Sequence, residues 1–172
     1  MTDPNHSADL RAQTSQLLEV LTDEQSALEH LLFKLREQNM VLTSGEHRWL
    51  AHSTAEVESA VHVLTATGRR REDLVTRVHR AHDLPEDSNI AALAATVEDE
   101  LLCQQLLQRQ RSLRDMLDQV RRCSRQNRDM LAQGLSATND ALAILGSVPT
   151  YDSSGNVTLS GGPACVNLDT RV

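Results

Sequence analysis

The stretch "LLEVLTDEQSALEHLLFKLREQNMVLTSGEHRWL", residues 17–50, decides the fold. With the residues just before it, it carries a seam spaced alternately three and four apart. The positions are Leu10, Thr14, Leu17, Leu21, Glu24, Leu28, Leu31, Leu35, Gln38 and Leu42. Seven of the ten are leucine, which makes a coiled-coil-like stripe along one helix face. The stripe predicts a helix over residues 7–42, with Ser7 as its N-cap. At 1.5 Å per residue it is roughly 50 Å long. A helix of that kind holds only if its stripe is buried against partners.

"TSGE", residues 43–46, breaks the pattern. Gly45 can close a helix in the left-handed conformation. A turn this short between long helices implies an antiparallel hairpin. The second arm is predicted over residues 46–81, with Leu50, Val57, Val61, Leu64, Val75 and Val78 buried. Gly68 and Arg69, Arg70 and Arg71 weaken its middle. "HDLPEDSN", residues 82–89, is an interior loop, since Pro85 disfavours helix at Leu84. Asp87 or Ser88 can cap the next helix. The short turn "NIAALA" leads into a third long helix over residues 95–145, with Leu102, Leu106, Leu113, Leu117, Val120, Leu131, Leu135, Leu142 and Leu145 on its seam. The expected architecture is all-α: an elongated antiparallel hairpin plus a long third helix, a three-helix bundle. It occupies residues 1–147. A flexible, disordered polar tail, which includes "PTYDSSGNVTLSGG" from Pro149, fills residues 148–172.

Composition narrows the function. The only aromatic residues are Phe33, Trp49 and Tyr151, so a core must be aliphatic, which suits packed helices better than a β-sandwich. The net charge of −7 argues against a general nucleic-acid binder. Charge is uneven: residues 1–60 carry ten acids against four bases, and residues 101–130 carry seven arginines against three aspartates. Two helices of opposite charge could therefore lie alongside one another. The N-terminus lacks the apolar core of a signal peptide, and no run reaches the roughly 18 apolar residues of a membrane span. Cys103, Cys123 and Cys165 fit neither a disulfide framework nor a zinc pattern, so a reducing cytoplasm is the natural setting.

No phosphate-cradling glycine motif and no H-E-x-x-H occurs, and neither catalysis nor a cofactor is expected. His79 and His82, beside Asp83, would need to converge with a fourth ligand to hold a metal; a solvated helix end is the simpler reading. Cys103 and Cys123 read as small packing residues. Arg109, Arg111, Arg114, Arg121, Arg122, Arg125 and Arg128 go most of the way round a helix, interleaved with Asp115, Asp118 and Asp129. With no aromatic beside them to stack on bases, they read as a solvated, internally paired surface. Residues 130–148 are apolar over more than one face. The last turns of the third helix either extend past the hairpin arms and offer a surface to a partner helix, or are core against the Pro85 loop or a dimer mate.

Together these features resemble the FlgN family of flagellar export chaperones. The resemblance rests on the seam broken by Glu24 and Gln38, the Ser44-Gly45 turn and the Leu84-Pro85 loop. It continues through "NRDMLAQGLSATNDALAIL", with Asn127 and Leu131 matching, and a Tyr-Asp-x-x-Gly tail like those of Gram-positive members. It covers about residues 10–172. It implies a cytoplasmic chaperone that binds the hook–filament junction proteins FlgK and FlgL, prevents their premature assembly and delivers them to the type III export apparatus. It places the cargo surface on Met130, Leu131, Leu135, Leu142 and Leu145, and docking to the export-gate protein FlhA at Tyr151. Cys165 and the acidic face of the first helix match no family feature. The alternative is a structural coiled-coil adaptor or stalk without FlgK or FlgL binding; a third class, an RNA binder using the arginines, would show salt-dependent affinity. The seams can be satisfied within one chain or between two, so a homodimer is one expected state.

Overall fold

The computed structural model describes residues 4–85, 88–146, 150–151 and 157–158, with side-chain surroundings over residues 9–85 and 88–144. Four α-helices carry the described chain: α1 Pro4–Ser44, α2 Leu50–Ala81, α3 Ile90–Thr96 and α4 Glu100–Gly146. A single 3₁₀ turn, His47–Trp49, precedes α2. The all-α expectation holds. In the tail, Thr150–Tyr151 and Val157–Thr158 form a two-residue antiparallel pair, β1 and β2, with Thr150 opposite Thr158 and Tyr151 opposite Val157. The chain divides into two compact units, Met1–Asp129 and Met130–Val172.

In the first unit the α1 seam is buried as its spacing requires. Thr14, Leu17, Leu21, Leu28, Leu31, Leu35 and Gln38 are all buried within one chain. Gly45 takes a positive φ of 73° and turns the chain back, as a C-terminal glycine does. The cross-links between α1 and α2 then run in opposite senses. Gln38 reaches Thr54, Lys34 reaches Glu56, Glu24 reaches Arg71 and Thr14 reaches His82. That order is the signature of an antiparallel hairpin. Lys34, the only lysine, ties Glu37 on its own helix and Glu56 on the other arm at 2.9 Å each. Its hydrogen bond holds the Glu56 carboxyl below the usual carboxylate range.

The buried stripe of α2 departs from the expected one. Ser53, Ala60, Thr67 and Leu74, each seven apart, are buried, with Val78 and His79. Val57, Leu64 and Val75 are half-buried against the core, as expected, but Val61 is exposed. Val61 lies one residue, about 100° of helix, beyond Ala60. Small residues on the stripe let the two arms approach closely, and Thr67 turns its hydroxyl onto the Val63 carbonyl at 3.0 Å. The helix runs through Gly68 unbroken.

α2 ends where the His82 and Leu84 amides donate back to α2 carbonyls and Asp83 adopts a positive φ of 53°. The next cap is Asn89, not Ser88: its Oδ1 accepts from the Ala92 amide at 2.9 Å. Asp87, the other candidate, lies outside the described residues. The third long helix starts at Glu100, five residues later than expected, because Val97 is extended and Asp99 recaps the chain. Asp99 Oδ1 accepts from the Leu101 and Leu102 amides at 3.1 and 3.2 Å.

Within the first unit α4 runs parallel to α1. Arg11 pairs with Asp99, Arg109 donates to Gln25, and Asn39 donates to Asn127. Leu106, Leu113 and Val120 join the α1 and α2 leucines in one apolar cluster. Buried Asn127 continues their seven-residue spacing. Its Nδ2 donates to the Leu35 carbonyl at 2.8 Å and to Gln38 Oε1 at 3.0 Å, and its Oδ1 accepts from Asn39 Nδ2 at 2.8 Å. Every polar group of this side chain that the fold buries is thus answered.

The Glu24–Arg71 pair, 2.9 Å, sits on the seams of both arms with side chains only 15% and 30% exposed. Arg71→Ala strands the Glu24 carboxylate at that seam. We expect a loss of about 1–2 kcal/mol in urea unfolding, largely recovered in the double variant Glu24→Leu/Arg71→Leu. A single variant that unfolds like the native chain would show that the pair does not hold the arms.

Candidate partner-binding site

The second unit begins inside α4. Leu131, Leu135 and Leu142 fall within about 40° of one another at 100° per residue, so they share one face. Their spacing of four and seven, with Thr138 between, is the same heptad pattern that is buried elsewhere. Here it is open. Met130 and Leu131 are half-buried, and every residue of 132–144 is exposed. Leu135 is 64% exposed and Leu142 60%. Ile144, outside the expected set, is as exposed, at 68%. Between residues 130 and 144 the only charged residue is Asp140. Thr138 turns its hydroxyl back onto the Gly134 carbonyl at 2.8 Å, which leaves its methyl as part of the face. A Cβ at Gly134 would meet nothing within 4 Å. This is a nearly uncharged apolar helix end of a kind that soluble proteins keep for a partner.

Two of the expected site residues fall at the limits of what the structure describes. Leu145 belongs to α4, but its side chain lies outside the described residues. Tyr151 is placed by its backbone alone, in β1 opposite Val157.

Among the other candidates His79 resolves differently from its sequence reading. His79 is not a solvated helix end: it is 1% exposed, and neither ring nitrogen has a protein hydrogen-bond partner. The sequence signal was there, since His79 follows Val78 and shares its turn, but histidine at a helix terminus usually reads as surface. His82 lies between the Thr14 hydroxyl at 3.2 Å and the Thr96 hydroxyl at 3.1 Å, joining α1, α2 and α3. Among the described residues no group of three or more His, Cys, Asp or Glu could hold a metal. Cys103 and Cys123 are half-buried against the apolar cluster. Burial pushes the Cys123 thiol above its ordinary pKa. No helix among the described residues is long and apolar enough to cross a membrane. Cys165 lies outside the described residues.

The α4 arginines are solvated, as expected, but not internally paired. Among the described residues only Arg121 meets an acid, Asp118, at 3.5 Å, and Arg109 is bound by Gln25. The two helices of opposite charge do share a core, yet no α4 arginine forms an ion pair with an α1 acid among the described residues.

The described chain is an aliphatic helical scaffold whose last helix carries an exposed, uncharged heptad face, the features of a helical binding protein. The comparison with protein families agrees and is more specific. The chain belongs to the FlgN family: the family model described as "FlgN protein" matches residues 10–158. It is therefore a flagellar export chaperone in the general sense of that family. Neither curated proteins nor solved structures gave a match.

Because Leu135 and Leu142 are exposed, they do not hold the fold. Leu135→Asp/Leu142→Asp should keep the helical circular dichroism and unfold within about 1 kcal/mol of the native chain. A loss of several kcal/mol would mean that the face is core.

Proposed function

We propose that this chain is a cytoplasmic chaperone for the hook–filament junction proteins FlgK and FlgL, with the open α4 face as its cargo surface. The observation that carries this is the heptad face of α4 in a chain of the FlgN family, where Leu135 and Leu142 are exposed and Leu131 is half-buried at its start. The proposal also takes in Met130 and Leu145, which flank that segment in the sequence.

The physics requires no catalysis. Terminal helices of a subunit that pairs only on assembly are amphipathic and open in the free subunit. A helix laid along Leu135 and Leu142 covers them by the same heptad packing that α1 uses internally. The face spans about 11 residues from Leu131 to Leu142, roughly 16 Å of helix. Three leucines at about 1.5–3 kcal/mol each set an upper limit to the gross gain, and association costs offset much of it. Such a complex is specific but reversible, as a carrier that releases its load requires. Tyr151 then serves docking to the export gate, FlhA, as the large side chain following the cargo helix.

Two experiments test this. Full-length Leu135→Asp/Leu142→Asp, and separately a chain lacking residues 130–172, should fail to co-purify FlgK and FlgL while the hairpin stays helical. Retention of both cargoes by both variants would refute the cargo surface. Tyr151→Ala should keep cargo affinity and weaken binding of the loaded chaperone to FlhA. Equal loss of both activities would end that division of labour.

A further inference from the structure

The α4 arginines carry a second inference, independent of the cargo face. Over residues 111–129 there are six arginines against three aspartates, a net charge of +3 inside a chain of −7. At 100° per residue, Arg111, Arg114, Arg121, Arg122, Arg125 and Arg128 lie within an arc of roughly 120°. All six are exposed. The arc points away from the buried stripe of Leu113, Val120 and Asn127.

The local acids leave most of these charges unspent, and helix chemistry explains why. Arg111–Asp115, Arg114–Asp118 and Arg125–Asp129 are all spaced i, i+4 with the base first. That order opposes the helix dipole and is the weaker orientation. None of these pairs forms, and the one that does, Asp118–Arg121, has the acid first. One of these six, Arg122, also lies in a groove between two helices. Arg36 of α1 and Arg122 of α4 line one groove of about 460 Å³ with Gln119, Gln126 and Asn39, and no acid lines it. Beside Arg36 on α1, Phe33 and Met40 lie two turns apart on one face, 56% and 69% exposed. Arginine, methionine and aromatic residues are the types enriched at the centres of protein interfaces.

We propose that this α1–α4 face is a docking surface for an acidic amphipathic helix of a protein partner. Its carboxylates meet Arg36 and Arg122, and its apolar edge covers Met40 and Phe33. Charge complementarity selects the occupant. A continuous phosphate backbone would run against Asp115, Asp118 and Asp129, and no aromatic lines the groove itself, with Phe33 a single ring at its edge where base stacking uses successive rings. A helix with discrete carboxylates can step over those aspartates.

The test uses the full chain and a fluorescein-labelled helical peptide with glutamates on one face and leucines beside them. Controls are the same peptide with lysine for glutamate, and a single-stranded RNA oligonucleotide of equal length. Fluorescence anisotropy should show binding of the glutamate peptide alone, weakening as salt rises. Arg36→Ala/Arg122→Ala should lower that affinity by about tenfold, while FlgK and FlgL co-purification and helical content stay unchanged. Equal affinity of variant and native chain, no binding of the glutamate peptide, or RNA binding at least as tight would each overturn the proposal.

Discussion

A leucine stripe interrupted by polar residues governs this fold. Leucines alone would let α1 and α2 slide past one another by whole heptads, since every leucine finds another apolar neighbour. Thr14, Glu24 and Gln38 remove that freedom. Each is answered in only one register: Thr14 by His82, Glu24 by Arg71, Gln38 by Thr54 and Asn127. A slip of one heptad would set Glu24 against Leu64 or Val78. Leaving a carboxylate unpaired there costs more than any leucine contact returns. The polar interruptions weaken the stripe as glue and sharpen it as a ruler. Asn127 extends the same logic to α4, whose parallel register against α1 is pinned by one side chain with three hydrogen bonds.

How legible this was depended on residue size. The α1 seam can be read position by position because leucine dominates it. On α2 the stripe passes through Ser53, Ala60 and Thr67, which look like surface in any hydrophobicity reading. They are buried because two helices in close approach have room for nothing larger. Val61 invites a core assignment by being apolar, yet stands one residue off the stripe. The start of α4 escapes a sequence reading for a local reason. "AALAATVEDE" has helical composition throughout, and only the extended Val97 and the Asp99 cap divide it.

The exposed end of α4 was legible as apolar sequence, since residues 130–144 hold almost no charge, but sequence could not distinguish an open face from a buried one. Leu113 and Leu135 carry the same side chain on the same predicted seam of the third long helix. The first is buried and the second is not. The arginines posed the converse problem. Their spacing from Asp115, Asp118 and Asp129 looked like pairing, and the spacing is right. The order of base and acid along the helix is not: in Arg111–Asp115, Arg114–Asp118 and Arg125–Asp129 the base comes first, which opposes the helix dipole.

The two described aromatic rings, Phe33 and Trp49, both stand at the surface of an otherwise aliphatic structure. Trp49, the sole indole, caps α2 beside the hairpin turn, 53% exposed with the Arg48 guanidinium 5.5 Å from its ring centroid. The core is therefore optically dark. Indole emission reads the hairpin turn and little else, so collapse of the leucine seams has to be followed through the backbone. What looks like a poor chromophore set amounts to a single built-in reporter at one end of the α1–α2 hairpin.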